Sequence, residues 1–168
     1  MKYTPVTLPK FPYNGFMTEI AVAIDTSGST YEKFDPIIRN TIKDLVKSLA
    51  ESGRFVVTVW AFDCYVHHQS IRTITERDVD KVDDILDVTL SYGGGGSSFI
   101  QSFHLVKSIY HRPPTAIIFI TDGHFTSVEY PDEMDMENHV VLLNNSQYPF
   151  NHKVFPFKHF VHTLTYSE

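Results

Sequence analysis

The sequence predicts an α/β domain built on a mostly parallel sheet covered on both faces by helices. Two observations lead there. Short, almost wholly apolar runs rich in β-branched residues recur along the chain, and amphipathic stretches with apolar residues at three- and four-residue steps separate them. Strands covered on both faces read as continuous apolar runs, and alternation with helices is the signature of a parallel sheet.

The elements follow in order. Residues 1–15 carry Pro5, Pro9, Pro12 and Gly15, which predicts an extended arm on a single domain spanning 1–168. From Phe16 to Ile24, apolar residues occupy both faces of a central strand. Asp35-Pro36 then reads as an N-cap followed by proline at the first helical position, and Ile37, Ile38, Ile42, Leu45, Val46 and Leu49 form the helix's apolar stripe. Gly53 supplies the stop.

FVVTVWAFD, residues 55–63, is a second buried strand, and CYVHHQSIRTI is expected to turn back as an edge strand. Thr75 and Asp78 have the spacing of a capping box, opening a helix with Val79, Val82, Ile85 and Leu86 on one stripe. Asp80, Asp83, Asp84 and Asp87 are expected on its solvated outer face. A further helix carries Phe99, Phe103, Val106, Ile109 and Tyr110 and ends before Pro113-Pro114. TAIIFIT at 115–121 and HVVLLN at 139–144 are buried strands, the latter expected as the last of its kind. For Lys158 to Tyr166 the pattern leaves strand and helix both open.

Ligands of such sheets sit beyond the carboxyl ends of the strands, where strand order reverses. Three loops qualify: Asp25 to Thr30, Gly93 to Ser98, and Asp122 to His124. Asp25 and Asp122 each follow a buried strand, and two carboxylates brought together repel unless a cation lies between them. Ser27 and Ser29 add hydroxyls at alternate positions, and Ser97, with Ser98 beside it, adds another from a loop whose four glycines relax the backbone. The five candidate ligands, Asp25, Ser27, Ser29, Ser97 and Asp122, are all oxygen donors. That set suits a hard cation, Mg²⁺ or Mn²⁺, better than zinc.

DTSGS at 25–29, GGGGSS at 93–98 and ITDG at 120–123 resemble, in order and spacing, the three metal-site segments of the von Willebrand factor A (VWA) domain family. The GGGG run resembles more narrowly the bacterial and phage VWA-like domains associated with predicted metallopeptidases. The resemblance runs from about Phe16 to Asn144. It implies a doubly wound, Rossmann-like sheet with one antiparallel edge strand and a metal-ion-dependent adhesion site. In such a site Ser27, Ser29 and Ser97 touch the ion, Asp25 and Asp122 act largely through water, and a partner's acidic side chain completes the coordination. Ser97 stands where the family usually has threonine, and Ser98 where the narrower group often has aspartate. Either serine keeps an oxygen in place.

Composition bounds the alternatives. Fourteen basic against twenty acidic residues give a net charge of −6, with no basic run longer than two, so nucleic acid is not the expected partner. No apolar run approaches the ~20 residues of a membrane span. Cys64 has no intrachain partner and MKYTPVTLPKF lacks a secretory pattern, so a cytoplasmic setting is expected. The glycines lack the lysine of a phosphate-binding loop, no nucleophile elbow occurs, and the nine histidines form no HEXXH. His67-His68 are expected in surface or structural roles, and His124 at the rim of the metal face. The acidic run Glu129, Asp132, Glu133, Asp135 and Glu137 lacks calcium-loop spacing and is expected as a solvated loop.

The expected function is therefore a non-enzymatic module that binds a divalent ion and, through it, a carboxylate on a protein partner. The resemblance adds an ATPase or an assembly complex as partner classes. A metal-dependent hydrolase and a scaffold with a vestigial site are the alternatives.

Overall fold

The computed structural model describes residues 1–124, 135–147 and 159–168. Seven strands form one sheet in the order β1-β7-β6-β5-β2-β3-β4. They are β1 (Lys2–Tyr3), β2 (Thr18–Asp25), β3 (Phe55–Phe62), β4 (Arg72–Thr75), β5 (Ala116–Thr121), β6 (Glu137–Asn145) and β7 (Phe160–Ser167). The five inner strands from β7 to β3 are parallel, and β4 pairs antiparallel with β3. At the other edge the arm adds an antiparallel pairing of its own, Lys2 with Ser167 and Tyr3 with Tyr166.

Helices α1 (Asp35–Ser52) and α2 (Val82–Thr89) pack on one face, and α3 (Ile100–Ile109) on the other. The first face buries Ile37, Ile42, Val46 and Leu86 against Ile20, Val22 and Val57, and the arm's Phe11 joins it. The second buries Phe99, Phe103 and Val106 against Trp60, Phe62 and Phe119. The indole N–H of Trp60 donates to the Ser102 hydroxyl at 3.0 Å, giving α3 a polar anchor inside an apolar layer. The predicted class, a doubly wound mostly parallel sheet with an antiparallel edge strand, is the observed one.

Several local expectations are corrected. Asp35 is the first residue of α1 rather than its cap: no side chain caps the helix, and the Asp35 carboxylate accepts from Arg39 Nε one turn on, at 2.8 Å. The edge strand is shorter than the segment CYVHHQSIRTI. The Ser70 hydroxyl donates to the carbonyl of His67 and accepts the Ala61 N–H at 2.8 Å, which folds residues 68–70 into a 3₁₀ turn and leaves only Arg72–Thr75 to pair. The Asp78 carboxylate does accept the Thr75 N–H at 2.9 Å, but this closes a turn, and a 3₁₀ segment with an exposed Val79 precedes α2.

The acidic face of α2 is solvated as expected: Asp80, Asp83, Asp84 and Asp87 are all exposed, and Arg39 of α1 reaches two of them, Asp83 at 3.2 Å and Asp87 at 2.7 Å. HVVLLN lies in β6, the last of the buried apolar strands, and the segment left open between strand and helix forms the strand β7. There Leu164 and Tyr166 point into the core while Thr163 and Thr165 face out. In the acidic run, Asp135 is exposed, and Glu137, also exposed, is the first residue of β6 rather than part of a loop. Glu129, Asp132, Glu133 and Lys158 lie outside the described residues.

Candidate functional site

β2 ends on Asp25 and β5 on Thr121, and these two strands are neighbours at the position where strand order reverses. Asp25 is almost fully buried and fixed on both oxygens. Its Oδ1 accepts the Ser27 N–H at 2.9 Å, and its Oδ2 accepts the Thr121 hydroxyl at 2.6 Å. Thr121 in turn accepts the Gly123 N–H at 3.1 Å, so one hydroxyl joins the loop after β2 to the loop after β5. The Asp122 carboxylate accepts the His124 N–H at 3.0 Å.

The hydroxyls of Ser27 and Ser29 stand 3.4 Å apart, the first buried and the second exposed. Thr30, buried beneath them, donates its hydroxyl to the Asp25 carbonyl at 2.6 Å and holds the turn closed. Burial pushes the Asp25 carboxyl above the usual range. Hydrogen bonds from Ser27 and Thr121 pull against it, and the charge of Asp122 adds to the rise. A buried carboxylate facing a second carboxylate is an environment that a cation would relieve.

The glycine loop crosses the Asp25–Thr30 loop backbone to backbone. Gly94 N–H donates to the Thr26 carbonyl at 2.7 Å, and Gly28 N–H to the Gly95 carbonyl at 2.8 Å. Gly93 has φ +154, and a Cβ there would lie 2.3 Å from the Thr26 carbonyl oxygen. No other residue fits that approach. The crossing delivers Ser97, buried, to the same edge of the sheet.

Sequence reasoning passes over two residues that assemble this edge. One is Thr121, hidden as the last letter of an apolar strand. The other is Asp63, just past β3 and also buried. Its Oδ1 accepts the Tyr65 N–H and its Oδ2 the Gly95 N–H, both at 3.1 Å, and its carbonyl accepts the Ser98 N–H at 2.9 Å. His67 Nε2 lies 3.0 Å from the same Oδ2, and its ring stacks on Tyr92. Burial alone would raise the Asp63 carboxyl, but the contacts from Tyr65, His67 and Gly95 outweigh it and hold it below the usual range. The available signal is positional: Asp63 follows an apolar strand, as Asp25 and Asp122 do.

Asp25, Ser27 and Ser29 therefore share one loop, Asp122 joins them through Thr121, and Ser97 arrives on a loop bonded to theirs. His124 is exposed beside Asp122, and His67 has a structural contact with Asp63. Among the described residues, no three His, Cys, Asp or Glu side chains gather as a metal-ligand group. The cluster holds two carboxylates, and any cation in it would depend on the hydroxyls.

Fold and cluster together define a doubly wound α/β domain with hydroxyl- and carboxylate-bearing loops gathered at its switch point. No family model matches the chain. It is similar to the uncharacterized protein YfbK of Escherichia coli (strain K12), 27% identical over 124 residues, or 73% of this chain and 21% of that protein. The chain thus spans about a fifth of that relative's length. Among solved structures, the conserved hypothetical protein BatB from Bacteroides thetaiotaomicron aligns with a TM-score of 0.49 and 17% identity. The alignment covers 77% of this chain and 68% of that one.

Proposed function

We propose that this chain is a VWA-like module that binds Mg²⁺ or Mn²⁺ through Asp25, Ser27, Ser29, Ser97 and Asp122 and recruits an acidic residue of a protein partner. The observation that carries the reading is the convergence of three remote loops around a buried carboxylate, with an oxygen donor at each of the five named positions. Both Asp25 oxygens already accept protein hydrogen bonds, which suits a carboxylate acting through bound water. The serine hydroxyls are then the direct donors. Two carboxylates balance a dication and neutral hydroxyls add no charge, so the ion keeps its attraction for a further carboxylate.

An ATPase or an assembly complex is the partner class this reading favours, in the cytoplasm. No described helix is long and apolar enough to cross a membrane. Mg²⁺ or Mn²⁺ is expected to raise the melting temperature of the wild type and to leave Asp25→Ala/Ser27→Ala unmoved. Equal shifts in both would place binding elsewhere. Partner capture from lysate that is unaffected by EDTA would count against a metal bridge, and metal-dependent turnover of a peptide or ester would favour the hydrolase alternative.

A further inference from the structure

Asp63 fastens the glycine loop at both ends of its working segment. On the exit side it holds Gly95 through its carboxylate and Ser98 through its carbonyl, the residues that flank Gly96 and Ser97. On the entry side His67, 3.0 Å from Oδ2, stacks on Tyr92, the residue before the first glycine. Gly95 in turn accepts from Gly28, in the middle of the serine loop. A buried carboxylate after β3 is thus linked through one residue, Gly95, to the turn that carries Ser27 and Ser29.

We infer that Asp63 is a positioning residue for the metal centre: it sets the height at which the glycine loop presents Ser97, without itself touching the ion. The inference rests on the metal reading above. Its physical basis is that ligand geometry is held by the groups that bond the ligand-bearing loop, and a Mg²⁺ site tolerates little displacement of its oxygens. Gly95 belongs to the same device. A Cβ there would stand 3.0 Å from Asp63 Oδ2, so alanine at this position forces the loop and the carboxylate apart by a few tenths of an ångström while leaving residue 63 an aspartate.

The test is Mn²⁺ affinity by titration calorimetry, below the melting temperature of each variant. Asp63→Ala is expected to weaken binding about 10- to 100-fold. Asp63→Asn, which keeps one oxygen for either the Gly95 or the Tyr65 N–H but not both, is expected to fall between wild type and Asp63→Ala. Gly95→Ala carries the same expected loss should Asp63→Ala fail to fold, and the double variant is expected to be no weaker than the poorer single.

A merely structural role would lower the melting temperature in EDTA but leave the folded protein's affinity alone, and unchanged affinity in Asp63→Ala and Gly95→Ala overturns the inference. Wild type that binds no Mn²⁺ overturns the metal reading and this inference with it. Wild type that binds while both variants bind equally well overturns the inference alone.

Discussion

Two of the places where the sheet holds buried polar side chains are balanced differently. At the carboxyl ends of β2 and β5, Asp25 and Asp122 bring like charges together in a buried place, and the Asp25 carboxyl is driven up, by burial first and by its neighbour's charge in addition. Near the amino ends of β6 and β7, His139 Nδ1 and His162 Nε2 lie 2.9 Å apart, and His139 Nε2 lies 3.3 Å from Glu137. Phe11 meets the His139 ring edge-on, and Phe160 stacks on it. The tautomer that satisfies both contacts has His139 donating to Glu137 and accepting from His162, so this cluster completes itself with neutral rings. One region is short of positive charge; the other is satisfied. Burial of polar groups alone does not mark a site, whereas two carboxylates set close together at a switch point are the feature on which the proposed cation rests.

Three variants sharpen the contrast. The largest effect is expected from Gly93→Ala, where the new methyl meets the Thr26 carbonyl and the backbone is strained as well. A loss of roughly 3 kcal/mol in urea unfolding is expected. A change under about 0.5 kcal/mol, the scale of an ordinary surface substitution, would mean that the two loops are not locked together.

Next comes His162→Ala, which leaves the buried His139 Nδ1 without its strand partner, at about 1–3 kcal/mol. Burial, and then His139, hold the His162 pKa below its ordinary 6.5. The folded state therefore binds fewer protons than the unfolded one. The corresponding stability is present above pH 6.5 and lost as pH falls from there toward the folded value. Wild type is expected to lose more stability than the variant on acidification through that window, as measured by unfolding at a series of pH values. Parallel curves would deny the pair its role.

The smallest change, opposite in sign, is expected from Asp25→Asn. The amide keeps an oxygen for the Ser27 N–H but removes the buried charge, so a slight rise in melting temperature in EDTA is expected, with the Mg²⁺ increment abolished. A fall in EDTA would show that the charge is already compensated within the protein.

Of the five inner strands, β2, β3, β5 and β6 are legible in the sequence because strands covered on both faces read as apolar runs. β7 is not, since its outward positions are threonines and an exposed Val161, which could belong to either kind of element. β1 is two residues long and exists only by pairing with β7. The start of α2 misleads because Thr75 and Asp78 form one of the bonds of a capping box without the helix. Arg39 and two of its aspartates, Asp83 and Asp87, belong to different helices, which no local pattern reveals. At the candidate site, the five ligand positions can be named from their residue types and spacing. Asp63 and Thr121 cannot, because each works by bonding a loop distant in sequence.

The two loops meet through main-chain amides and carbonyls, at Gly28 with Gly95 and Gly94 with Thr26. Such a joint is indifferent to the identity of the serines around it. Swapping hydroxyls for carboxylates at Ser29 or Ser98 would change the charge presented at this edge without redrawing its scaffold.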